Sequence, residues 1–375
     1  MKKKALLPLA TLFCSLCLSS CGEKTYSLTD YTRELALFSS KEEIKVMQLA
    51  DLHYNFSTDW DKEKAYLHSL FEASKPSLVM LSGDNVLNAS KITVGNLLDL
   101  LNSLCKEYGA YYGLTWGNHD KEGFYDPSYW NGECQKRDRC VYFEATGDNV
   151  YGRANYVLNL TDGNKTCWQV YSIDSNSLIG KDSISYNYDI IHEDQVKWFE
   201  EESDLAKTND AYVPSLVYFH IPLWETEYAY RLAGLNSEVS ASQTEGKLYG
   251  YSGEMDESIY FNSPVGSTKV WGGYKNSGFF KSAESKGVKG IFFGHDHKSD
   301  FVAKYATKDS PRDETNAIVI GYGLKSSGEL SYKSTMIGAF VATIKKDGSA
   351  SYARYFQQYS SSYDNNSVKV EELSL

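Results

Sequence analysis

Apolar and polar positions alternate in blocks along residues 43–120. EIKVMQLAD (43–51) is a short apolar run ending on Asp51, and KEKAYLHSLFEASK (62–75) spaces its apolar residues as a helix does. PSLVMLSGD (76–84) is apolar until it reaches Asp84. TVGNLLDLLNSLCKEYG (93–109) is again amphipathic and closes on Gly109, and YYGLTWGNHD (111–120) returns to strand character before Asn118. Strand and helix in this order predict right-handed βαβ units in a mostly parallel sheet. Further along, short β-type runs stand at 156–160 and 168–173, a helix is predicted over about 192–207, and SLVYFHIPL (215–223) reads as a strand. Residues 224–276 are rich in Gly, Ser and Tyr and have no clear period; long segments of that kind tend to be functional or mobile loops. NSGFFKSAESKGVKGIFFGHDH (276–297) predicts a helix and then a buried strand. AIVIGYG and GAFVATIKKDGSASYARYF predict antiparallel strands with a turn at Asp347–Gly348. No internal repeat is visible.

Each of these strands ends in a metal-ligating type of residue, at the edge where open α/β sheets place their sites. Along the chain these are Asp51 and His53, Asp84, Asn118 and His119, His220, then His295 and His297. Of seven histidines, only His68 and His192 lie elsewhere, on predicted helices, where a solvated or capping histidine is ordinary. Singly, an Asp-x-His is a polar loop start, a Gly-Asp is a turn, and His220 a satisfied core histidine. Jointly, so many polar groups at buried strand ends need common partners. Alternate residues of an extended segment face the same way, so Asp51 and His53 could reach one ion, and His295 and His297 neighbouring ions. Mixed imidazole, carboxylate and amide donors suit Zn, Fe or Mn rather than Ca or Mg. Gly83 and Gly117, just before Asp84 and Asn118, permit close backbone approach.

Composition narrows the partners. The 375 residues suffice for one large core or two modest ones, and the net charge of −11 disfavours an extended nucleic acid while leaving room for a small phosphate ester. The first residues, MKKKALLPLATLFCSLCLSSC, have a basic start and an apolar run too short to span a bilayer comfortably. They read as a lipoprotein signal peptide over 1–20 with lipidation at Cys21, resembling a bacterial lipobox. A plain signal peptide with an incidental cysteine is the other reading. A polar tether over 21–43 would then hold an extracytoplasmic, membrane-anchored domain. Four cysteines remain beyond Cys21: Cys105, Cys134, Cys140 and Cys167. Cys134 and Cys140 bracket a short loop and are the first candidates to pair in an oxidising compartment; none has the spacing of a thiolate zinc site.

Asp51-Leu52-His53, Gly83-Asp84, Gly117-Asn118-His119-Asp120, His220 and Gly294-His295-Asp296-His297 stand in this order, and together they resemble the calcineurin-like metallophosphoesterase superfamily over residues 44–345. DLHY, NSGFF and GHDHKSDF further resemble its Dcr-type and purple-acid-phosphatase-related branch. His53 stands where true purple acid phosphatases usually carry Gly, a departure that puts their tyrosinate–iron chemistry in question here. The resemblance implies a four-layer α/β/β/α sandwich with two mixed β-sheets, followed by a C-terminal strand and tail over 346–375. It implies one metal on Asp51, His53 and His297, a second on Asn118, His220 and His295, and Asp84 between them. His119 would stand beside the phosphoryl group as general acid or charge stabiliser, with Asp120 orienting it. The implied reaction is hydrolysis of phosphate mono- or diesters by a hydroxide bridging the two metals. A nucleotide phosphodiesterase or nuclease, or a non-catalytic surface lipoprotein on the same fold, are the alternatives. Trp224, Glu225 and Tyr228 either line the substrate pocket or simply pack their loop. The oligomeric state is not legible.

Overall fold

A computed structural model describes residues 30–122, 127–145, 150–179, 187–232, 248–249, 276–307, 310, 312, 316–327, 336–358 and 367–375. The chain runs through β1 (Thr32–Leu35), β2 (Glu43–Leu49), α1 (Trp60–Ser74), β3 (Leu78–Ser82), α2 (Lys91–Tyr108), β4 (Tyr111–Thr115) and α3 (Pro127–Cys134). Next come β5 (Tyr156–Thr161), β6 (Thr166–Ser172), β7 (Leu178–Ile179), β8 (Asn187–Tyr188), α4 (Glu193–Leu205), β9 (Ser215–Tyr218), α5 (Trp224–Leu232) and β10 (Leu248–Tyr249). It ends with α6 (Phe279–Ser285), β11 (Val288–Phe293), β12 (Val302–Tyr305), β13 (Ile318–Tyr322), β14 (Gly338–Lys345), β15 (Ala350–Gln358) and β16 (Ser367–Leu373).

The βαβ pattern is present as expected: β2, β3 and β4 lie parallel and adjacent, joined by α1 and α2. Local signals set the helix limits. Asp59 Oδ1 accepts the Lys62 N–H at the start of α1, Ser90 Oγ accepts that of Thr93 at the start of α2, and Gly109, at φ 67°, closes α2. Antiparallel β14, β15 and β16 extend this sheet, giving the order β16-β15-β14-β2-β3-β4. A second sheet, β1-β5-β6-β9-β11-β13-β12-β10, is parallel at its centre from β6 to β13 and antiparallel towards β12.

Period-two alternation sorts the second sheet between two cores. Leu216, Tyr218 and Phe292 face the first sheet, where Phe292 meets Phe340 at 4.5 Å between ring centroids. Val217, Ile291 and Phe293 face the other way, onto a layer that includes Phe199 of α4 and Phe279 of α6. With α1 and α2 covering the first sheet, the layers run α/β/β/α. Among the described residues no helix is long and apolar enough to cross a membrane.

Two boundaries differ from the sequence reading. The tether over 21–43 is not polar throughout: β1 pairs in parallel with β5, and Leu35, Leu37 and Phe38 are buried. Of the four residues of β1 only Leu35 is apolar, and the other inward position is Arg33, so no hydrophobic alternation marks the strand. The segment 346–375, expected to be one strand and a tail, carries two strands, β15 and β16, which complete the first sheet. Cys21 and the leader lie outside the described residues, as does most of 224–276, whose first nine residues form α5. The four body cysteines, Cys134 and Cys140 among them, are buried free thiols.

Candidate metal centre

Four strands stop two residues short of a candidate ligand: β2 before Asp51, β3 before Asp84, β9 before His220 and β11 before His295. β4 stops three short of Asn118. The seven side chains converge. Donor atoms of Asp51, His53, Asp84 and His297 all lie within 4.8 Å of one another, as do those of Asp84, His220 and His295. Asp84 belongs to both groups, with His53 Nε2 and His220 Nε2 each 3.2 Å from its Oδ2. Asn118 Oδ1 joins the second group, 3.1 Å from both His220 Nε2 and His295 Nδ1. His68 and His192 stay apart: His68 meets Glu107, and His192 meets Asp189 beside the start of α4.

The backbone reason for this convergence differs from simple strand alternation. Asp51, His53, Asp84 and His295 all have left-handed φ, at 52°, 49°, 49° and 81°. Such residues cost of order 1–3 kcal/mol each and persist where surrounding contacts over-determine them. Those contacts are visible. The Asp51 and His53 N–H groups donate to the Gly83 and Asp84 carbonyls, the His295 N–H to Asp51 Oδ1, and the His119 N–H to Asp84 Oδ1. The strain is therefore fastened by the ligands themselves.

The motif glycines make room for ligands. A Cβ on Gly117 would lie 2.1 Å from Asp84 Oδ1, one on Gly83 2.6 Å from the His220 ring, and one on Gly294 2.7 Å from Asp51 Oδ2. Gly117→Ala is the sharpest case, because it meets both the side chain and the backbone of Asp84. It is expected to cost about 1–3 kcal/mol of stability by overpacking and to lower bound metal to one ion or less per chain, as read by thermal melting and elemental analysis. Full metal content in that variant would show the contact to be slack.

Charge in the cluster is partitioned. Burial raises the Asp51 and Asp84 carboxyls, but Lys325, His220 and His297 around Asp51, and His220 and His53 around Asp84, outweigh it and hold both well below the usual range. Burial lowers His220 and His53, yet Asp84 more than compensates, raising His53 and bringing His220 up to about 9. Burial, with the neighbouring His220, takes His295 down to about 3, and burial, against the pull of Asp51, takes His297 down to about 4. Two carboxylates, four imidazoles and one amide oxygen make a donor set that fits Zn, Mn or Fe, and a cation would displace any proton an imidazole carries.

His119 lies at the rim. Its Nε2 is 4.0 Å from Asp84 Oδ2, and its ring centroid is 5.1 Å from that of His53. Asp120 does not orient it. The Asp120 oxygens accept from the N–H groups of Asn85, Val86 and Gly117 and from Asn85 Nδ2, tying the 117–120 turn to the loop after β3. Burial and the Asp84 charge push that carboxyl up to about 7. The carboxylate beside His119 is Glu122, whose Oε2 lies 2.9 Å from Nδ1, an ion-pair distance although the N–H does not point along it. Asp296, between the two histidines, accepts instead from the Tyr322 hydroxyl.

The three pocket candidates on α5 divide. Trp224 packs with Ile190 and Ile221 against Tyr188, whose ring stands edge-on to His295 at 4.3 Å. Glu225 turns to Asn276 Nδ2, beside Glu284, and Tyr228 packs on the outer core under the helices. Sequence reasoning passed over Glu122, Tyr188 and Lys325, whose Nζ sits 3.0 Å from Asp51 Oδ2. Glu122, two residues past Asp120, was the one within reach of a motif argument.

Residues 44–299 match the family model described as calcineurin-like phosphoesterase. The chain is 25% identical over 324 residues to probable inactive purple acid phosphatase 14 of Arabidopsis thaliana, covering 77% of this chain and 73% of that protein. It is 28% identical over 207 residues to phosphatase DCR2 of Saccharomyces cerevisiae, covering 48% of this chain and 35% of that protein. A dimetal phosphatase from Danio rerio superposes with a TM-score of 0.47 at 12% identity, covering 83% of this chain and 95% of that one.

Proposed function

The chain belongs to the calcineurin-like phosphoesterase family, and from that premise we propose that it hydrolyses small phosphate esters with two metal ions. Asp51, His53 and His297 would hold one ion, Asn118, His220 and His295 the other, and Asp84 both. The observation that carries this is the membership of Asp84 in both donor groups. When bound, such a pair supplies charge neutralisation for phosphate oxygens and an activated water near neutral pH. The chain's own groups do the rest. Asp84 would be the ligand common to both ions, and its carboxyl is held well below the usual range by His220 and His53. His119, partly open at the rim, would hold a proton at Nε2 for the departing oxygen. Asp120 would keep that turn in place. Trp224, acting through Tyr188, would shape the wall beside His295. The ions would be Fe, Mn or Zn, and the leader with Cys21 would tether the domain outside the cytoplasm.

The main alternative is a binding protein on the same fold, a reading to which the word "inactive" in the name of the Arabidopsis relative gives weight. Turnover separates the two. The purified protein is expected to hydrolyse p-nitrophenyl phosphate or its bis-ester with Mn²⁺, to stop in EDTA and to recover when Mn²⁺ returns. Hydrolysis of neither ester under Mn²⁺, Zn²⁺ or Fe would leave the binding protein standing. Preference for nucleotide diesters over both would select the phosphodiesterase form.

A further inference from the structure

Lys325 is fully buried, and it reaches the cluster from the far end of the chain. It stands in the segment after β13, stitched between β2 and β14. Its N–H donates to the Met336 carbonyl, its carbonyl accepts from Gly338, and the neighbouring Ser326 Oγ accepts the Ala50 N–H. Its ammonium lies 3.0 Å from Asp51 Oδ2 and 5.7 Å from the centre of the Tyr322 ring. The other Asp51 oxygen, Oδ1, accepts the His295 N–H at 2.9 Å and is 3.8 Å from His297 Nε2. The two oxygens of this ligand are thus differentiated: one faces a fixed cation, the other the donor group.

We propose that Lys325 is a built-in counter-charge of the first metal site, which commits Asp51 to ligation through Oδ1 alone and restricts that site to a divalent ion. This rests on the two-ion function proposed above. The first group contains two carboxylates, Asp51 and Asp84, and one of them is shared with the second ion. An ammonium in contact with Asp51 removes one unit of negative charge from a small, dry site, where screening is weak. A trivalent ion feels half again the repulsion from it that a divalent ion does. The same ammonium keeps Asp51 paired before any ion arrives, when an unpartnered buried carboxylate would oppose folding.

The test uses the full chain, stripped of metal and titrated with Mn²⁺, and separately with Ga³⁺ as a redox-inert trivalent probe. Elemental analysis, calorimetry and thermal melting are read for wild type and Lys325→Met, which keeps the length of the side chain and removes its charge. Wild type is expected to take up two Mn²⁺ and to refuse Ga³⁺ at one of the two positions. K325M should melt lower without metal, rise further on Mn²⁺, bind Mn²⁺ at that position roughly tenfold more tightly, the size of one coupling between neighbouring charges, and accept Ga³⁺ there. If K325M matches wild type in both titrations while wild type still takes two Mn²⁺, the role of Lys325 is wrong and the two-ion function survives. Wild type taking up no ion overturns both. Should K325M fail to fold, wild type still decides: Ga³⁺ filling both positions as readily as Mn²⁺ refutes the restriction, and its exclusion from one supports it.

Discussion

Asp84→Asn is expected to lower turnover of p-nitrophenyl phosphate by at least about 10³-fold and to reduce bound metal to one ion or less per chain. The substitution keeps size and shape, so the backbone after β3 should still form. What it removes is charge at the one point common to both donor groups. Asp84 is 1% exposed, and its Oδ2 lies 3.2 Å from both His53 and His220 while its Oδ1 accepts the His119 N–H. An amide can offer its single carbonyl oxygen to one of these places and must turn an NH₂ towards another. That NH₂ repels a cation and cannot accept the His119 N–H. Losing one partner from a buried ionic network also costs about 3–5 kcal/mol, so the metal-free variant should melt well below wild type. Metal content by elemental analysis and kcat from initial rates check both halves. A variant that keeps two ions and loses less than about tenfold in rate would mean that Asp84 does not lie between them.

Much of this arrangement could be read from the residues. The buried strands β3 and β4 are largely apolar runs, the helices that precede them are bounded by Asp59, Ser90 and Gly109, and each strand delivers its donors at the same end. That is why the fold and the convergence of the seven side chains were legible. Three features were not, each for a definable reason. The left-handed backbone at Asp51, His53, Asp84 and His295 comes from hydrogen bonds to residues distant in sequence, and no local rule places three non-glycine residues there within 34 positions. Lys325 sits in a Gly-, Ser- and Lys-rich stretch that looks like a solvated loop, and only its pairing with Asp51, 274 residues earlier, identifies it as buried. Asp120 is adjacent to His119, yet adjacency in a tight turn sends its side chain the opposite way, to four N–H donors.

His119→Ala separates chemistry from metal binding. The contact of His119 with the donor groups runs through its backbone, whose N–H donates to Asp84 Oδ1 at 2.9 Å, and alanine keeps that bond. Its ring is 30% exposed and stands 4.0 Å from Asp84 Oδ2, beside the cluster rather than within it, while Asp84 and His220 are buried. H119A should therefore retain two ions and a melting temperature close to wild type. Its rate should fall roughly 10²–10⁴-fold, the usual contribution of a positioned acid. The loss should depend on the leaving group: small for p-nitrophenolate, which departs without a proton, and large for an alkyl phosphate, whose alkoxide does not. Neutralising the neighbouring carboxylate in Glu122→Gln should produce a weaker loss with the same leaving-group order, because it alters the environment of Nδ1 and leaves Nε2 in place. An H119A protein that comes off the column without its ions would reverse the assignment, making His119 a ligand. Equal losses for both ester types would leave it a positioning group for the phosphoryl oxygens rather than the proton donor.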